Sequence, residues 1–120
     1  MKYMLLIHMN TEIWDTLSEA DRQEVFQGHT DFIDLITKSG ELLSTEPLCA
    51  PSHTTTVRIR NNTPAITDGP YLETKEYFCG YYLIDCDTKP RALALATMIP
   101  DAKYTAIEVR PLMTPTAPAL

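Results

Sequence analysis

Residues 2–9 constrain the fold more than any other stretch. They put Tyr3, Leu5, Ile7 and Met9 on one face of a strand and Lys2, Met4, Leu6 and His8 on the other, and in the middle neither face is polar. A sheet with one wet face alternates apolar and polar side chains, so a strand that is apolar on both faces is central and covered on both sides. Helices supply one cover. Residues 18–40 read as the first helix: the Ser18 hydroxyl caps its start, Glu19 and Asp21 suit the positive end of the dipole, and Ser39-Gly40 stops it. At about 100° per residue, Val25, Phe26, Phe32, Ile33 and Ile36 share one arc facing the sheet, and His29 lies within it. Asp31, Asp34, Thr37 and Lys38 fall elsewhere, toward water. Asp87-Thr88-Lys89-Pro90 opens the second helix, where Pro90 is tolerated because first-turn donors are unpaired, and Pro100 ends it after residues 91–99.

Strand-like runs fill the rest. They lie at residues 41–48 (interrupted by Pro47), 54–60, 65–67, 77–86 and 105–110. Asn61-Asn62 turns the second into the third, and Gly80 marks a bulge or a close approach in the fourth. Asn10-Thr11-Glu12 breaks the first strand, after which Ile13 and Trp14 read as a loop anchor, Trp14 being either a packing residue or part of a mobile lid. The order β-α-β-(hairpin)-β-α-β is the split βαβ arrangement, so the expected class is α+β, ferredoxin-like βαββαβ with an added hairpin. Two helices cover only one face of such a sheet. The apolar opposite face predicts a homodimer of the α+β barrel type.

At 120 residues, with 44% hydrophobic and 22% charged side chains, the chain fits a single domain over residues 1–112. Residues 113–120, with Pro115 and Pro118, are expected to be an extended or disordered tail. The net charge of −6 and the scattering of the basic residues argue against direct nucleic-acid binding. No apolar run reaches the roughly 20 residues of a membrane span, and residues 3–7 are too short for a signal peptide, so the expectation is a cytoplasmic protein away from membranes. Cys49, Cys79 and Cys86 are odd in number and lack C-x-x-C spacing, and read as reduced, small core residues. His8, His29 and His53 lack metal-ligand spacing, glycine is too sparse for a phosphate-cradling loop, and no G-x-S-x-G is present. Neither metal nor cofactor is expected.

The segment Asp68-Gly69-Pro70-Tyr71-Leu72-Glu73-Thr74-Lys75-Glu76 joins the hairpin to the longest strand. Asp-Gly followed by proline bends the chain. The charges after the bend form either a solvated hairpin shoulder or the rim of a site. Together with Gly80-Tyr81-Tyr82-Leu83-Ile84, the opening Met1-Lys2-Tyr3-Met4-Leu5-Leu6-Ile7 and the closing Ile107-Glu108-Val109-Arg110-Pro111, this segment resembles the DGPF proteins of the YCII-related superfamily, with Tyr71 where phenylalanine is more usual. The resemblance covers roughly the whole domain. It implies a dimeric ferredoxin-like fold, a catalytic histidine at His29, and association with alternative sigma factors as one form a binding role could take.

His29 is the leading candidate for chemistry, because imidazole titrates near neutral pH and can act as acid or base. The competing reading is a structural histidine satisfied by a backbone or carboxylate partner. A working histidine needs an acid to fix its tautomer, and Asn10 stands about where the family often carries one. Asp68 is therefore the expected catalytic partner and Glu73 the second choice, although Asp68 can equally be only a turn former. His8, Asn10, Glu73 and Arg110 are the expected substrate contacts. Arg110 and Arg58 could take an anionic substrate by a planar two-point contact, or stay solvated or paired with neighbours such as Glu108. The residues thus point to a cofactor-free enzyme, a lyase or isomerase acting on a small molecule, or alternatively to a non-catalytic ligand-binding or regulatory module.

Overall fold

A computed structural model describes residues 1–113. From residue 114 onward, the expected tail lies outside the described residues. In chain order the elements are β1 (Lys2–Asn10), α1 (Thr11–Thr16), α2 (Glu19–Lys38), β2 (Leu42–Pro47), β3 (Thr55–Arg60), β4 (Thr63–Asp68), β5 (Glu76–Asp85), α3 (Lys89–Thr97) and β6 (Ala106–Pro111). The main sheet has four strands in the order β2-β5-β1-β6, every neighbouring pair antiparallel. This is the ferredoxin-like α+β arrangement. The hairpin of β3 and β4 forms a separate two-stranded sheet.

The strand that is apolar on both faces is central, as its pattern demands. Tyr3, Leu5 and Ile7 of β1 meet Tyr82 and Ile84 of β5, Phe32 and Ile36 of α2, and Ala92, Leu95 and Ala96 of α3 in one buried core. Both long helices therefore lie on that face. Met4, Leu6 and His8 stand on the other, where Met4 lies opposite Leu83, Leu6 opposite Tyr81 and His8 opposite Phe78. These side chains are half-buried at best, and Phe78 is exposed.

Local chemistry sets the element boundaries. Ser18 Oγ accepts from the Asp21 amide at 3.1 Å to start α2, and Gly40, at φ +79°, follows its end. Thr88 Oγ1 accepts from the Arg91 amide at 3.2 Å to start α3. Arg91 then reaches across to Glu41 in two parallel bonds, Nε to Oε2 at 3.0 Å and Nη2 to Oε1 at 2.9 Å, tying α3 to the entry of β2. The expected loop after β1 is instead the short helix α1. Asn10 Oδ1 accepts from the amides of Glu12 at 2.9 Å and Ile13 at 3.3 Å, so the residue that ends the strand also caps a helix.

The buried arc of α2 is narrower than its periodicity suggests. Val25, Phe32 and Ile36 are buried, whereas Phe26 is 54% exposed and packs edge-on against Trp14 instead, ring centroids 5.6 Å apart. Cys86 is buried, but Cys49 is exposed and is no core residue. In β5, Ile7 faces Gly80 while His8 faces Phe78, which leaves Cys79 bulged. Gly80 is also a close-approach point: a Cβ there would sit 3.1 Å from the Glu46 carbonyl oxygen.

Asn61 and Asn62 take positive φ values of 52° and 61°, the turn that matches strand twist in a two-residue hairpin. Gly69, at φ +102°, carries the bend after β4, its amide donating to the Thr54 carbonyl at 2.7 Å. Among the described residues, no helix is long and apolar enough to cross a membrane.

Candidate active site

His29 sits at the middle of α2 on the edge of the buried arc, one residue after Gly28. That glycine lets the helix come close to the turn following α3: a Cβ on Gly28 would lie 2.9 Å from Pro100 Cγ. The turn, a single 3-10 turn over Pro100–Lys103, therefore places Asp101 beside His29. His29 Nε2 lies 2.5 Å from Asp101 Oδ1, and Nδ1 lies 2.7 Å from the Tyr82 hydroxyl. Asp101 is only 4% exposed, and its backbone carbonyl accepts from the amides of Tyr104 at 3.0 Å and Thr105 at 2.9 Å, which holds the turn rigid.

These contacts assign the proton positions. A buried carboxylate is an acceptor, so Nε2 carries its hydrogen toward Asp101. Burial first, and the Asp101 carboxylate second, hold the Tyr82 phenol well above its ordinary pKa, so its O–H is intact and donates to Nδ1. Tyr82 also stacks on the imidazole, ring planes 20° apart at 5.9 Å. The result is a continuous hydrogen-bonded chain of carboxylate, imidazole and phenol.

The chain opens on a cavity of ≈ 470 Å³. Its walls include Met9 from β1, Trp14 from α1, Val25, Phe26 and Ile33 from α2, and Leu48 past the end of β2. Cys79 lines it through the bulge, and burial, followed by the Asp101 charge, pushes its thiol up to about 12. Cys79 is therefore a neutral thiol and not a nucleophile. Trp14, which the sequence left between packing and lid, forms a wall and lies under Arg22, whose guanidinium carbon is 5.5 Å from the ring centroid.

The expected partners fall elsewhere. Asp68 ends β4 in the separate hairpin sheet, opposite Thr55, and does not line the cavity; the position beside His29 belongs to Asp101. Asn10 is consumed in capping α1 and in a 3.3 Å bond from Nδ2 to Glu76 Oε1. His8 projects from the opposite face of the sheet, paired with Glu108, and shares a different groove with Glu73, Lys75 and Glu76. Arg110 is exposed on β6 opposite Met4, and Arg58 lies over the Tyr71 ring at 5.0 Å, so neither reaches the cavity. Among the described residues, no three His, Cys, Asp or Glu side chains gather as a metal would require.

Asp101 and Tyr82 escaped sequence reasoning, though signals for both existed. Tyr82 sits at the period-two position of β5 that faces the helices. Asp101 follows the proline that ends α3, and in a split βαβ fold that end lies beside the first helix.

Comparison with known proteins matches the YCII-related domain to residues 1–115 of this chain. An uncharacterized protein from Rhizobium meliloti (strain 1021) is 28% identical over 114 residues, spanning 93% of this chain and 92% of its own length.

Proposed function

The chain belongs to the YCII-related family, and from that premise we propose that it is a small acid–base enzyme working without a resident cofactor, with His29 as its proton carrier. The observation that carries this reading is the pair of contacts on one imidazole, Asp101 at 2.5 Å and Tyr82 at 2.7 Å, beside an apolar cavity. Tyr82 is the group that meets substrate. Its oxygen accepts a proton from the ligand as its own hydrogen passes to Nδ1, and the imidazolium so formed is stabilised by the Asp101 carboxylate against Nε2. Proton return by the same route at a second atom completes an isomerisation or an elimination.

The test works with the natural substrate unidentified. Small carbonyl compounds with acidic C–H bonds, incubated with the protein in deuterated water, are expected to lose proton signal by NMR faster than with His29→Gln. Equal exchange by the two proteins across the set would remove the enzyme reading.

A second reading is favoured by the same geometry. Both ring nitrogens of His29 are already satisfied within the chain, as in a structural histidine. The cavity would then serve a non-catalytic binding module, with sigma-factor association, implied by the DGPF resemblance, as one form of it. Ligand binding without proton exchange distinguishes this reading. In both readings the protein is proposed to work as a homodimer.

A further inference from the structure

The cavity beside His29 is one-sided in charge. Its lining includes the acidic residues Asp101 and Glu46 and, among the described residues, neither lysine nor arginine. Arg22 does not line it, and its guanidinium is engaged by the carbonyls of Trp14 at 2.9 Å and Asp15 at 3.1 Å. The neighbouring acids register the same environment. Burial and then the Asp101 charge raise the pKa of both Cys79 and Tyr82, so each is held neutral. A carboxylate or phosphate entering this space meets the same two penalties with no lysine or arginine in the lining to offset them.

Its size and walls are equally selective. At ≈ 470 Å³ the cavity is about three times the ~150 Å³ that admits benzene in a protein core. Trp14 and Phe26, edge to face, offer ring faces and edges on which a flat molecule can stack. The Tyr82 oxygen, beside His29, is a polar group of the lining that can orient it. Sites of this kind bind through apolar area and use a few polar groups for direction.

Building on the acid–base reading of the same site, we infer that the cavity takes an uncharged, ring-bearing molecule of one or two rings whose single hydroxyl or amide N–H donates to the Tyr82 oxygen, and that it refuses anions. The anionic substrates expected from Arg58 and Arg110 belong to neither this cavity nor its rim.

Naphthamide and naphthoate test this directly, because they share one shape and differ in charge at neutral pH. Equilibrium dialysis of the full chain is expected to show the amide bound at least about tenfold more tightly than the carboxylate. Trp14→Ala should weaken the amide by a further several-fold, which places it in this cavity, and Asp101→Asn should shrink the preference by admitting naphthoate. Equal or tighter binding of naphthoate overturns the inference. So does an amide that fails to bind up to its solubility limit, or one that Trp14→Ala leaves unaffected. The readout is binding, so it separates from catalysis: a preference that persists in His29→Gln, in a protein with no proton exchange, removes the enzyme reading alone.

Discussion

His29 shows how a partner reverses the sign of a substitution. On the helix alone, a polar ring between Val25 and Ile33 looks like a cost that leucine would remove. With Asp101 and Tyr82 in place, leucine instead strands a carboxylate that is 4% exposed and a buried phenol, each without its hydrogen-bond partner. His29→Leu is therefore expected to cost about 1–3 kcal/mol, read as a lower urea midpoint at unchanged slope. His29→Gln, whose amide can still donate to Asp101, should recover part of that loss while abolishing proton exchange. A midpoint for leucine at or above the wild-type value would mean that the pair does not hold the fold together. The place of His29 on the sheet-facing side of α2 was legible because periodicity puts a helix residue on a face. Its acid was not, because Asp68 and Asp101 are both turn residues beside a Gly or Pro, and only the packing of the second helix against the first chooses between them.

The elements meet at two tight points. Gly28 lets α2 touch the Pro100 turn, and an added Cβ at 2.9 Å from the proline ring must push one of them away. Gly28→Ala should destabilise by about 1–3 kcal/mol as overpacking, and by moving Asp101 it should lower proton exchange while His29 itself is intact. Exchange at the wild-type rate would show that the turn does not set the dyad. The second point is Glu41, whose bonds from Arg91 outweigh partial burial and hold its carboxyl below the ordinary range. A carboxyl depressed on folding stabilises above its unfolded pKa, near 4.5, and that contribution is lost as pH falls through the folded value. The stability gap between wild type and Glu41→Gln is thus expected to be full at neutral pH and to close below the usual carboxylate range; a gap independent of pH would refute the pairing. Capping residues made both long helices and the hairpin readable. The helix α1 was hidden because Asn10 at a strand end reads as a breaker, and its second use as a cap depends on where the chain goes next.

At the scale of the molecule, the chain is a plate of 48 × 45 × 18 Å with its helices on one broad face. The other face of the sheet presents Met4 opposite Leu83 and Leu6 opposite Tyr81, beside Phe78 at 38% exposure. The hairpin adds Val57 and Ile66, paired across the strands and exposed by 61% and 67%. A two-stranded hairpin is marginal by itself, and an apolar sheet face of this breadth is costly to leave in water. A second copy applied sheet to sheet removes most of that cost, since a stable dimer needs about 800 Å² from each partner. Sedimentation at micromolar concentration is expected to give twice the chain mass, and Leu6→Glu with Leu83→Glu should give monomers, because each half of the interface would then have to bury two carboxylates. A wild-type chain that sediments as a monomer, or a double variant that still pairs, would place the contact elsewhere or remove it.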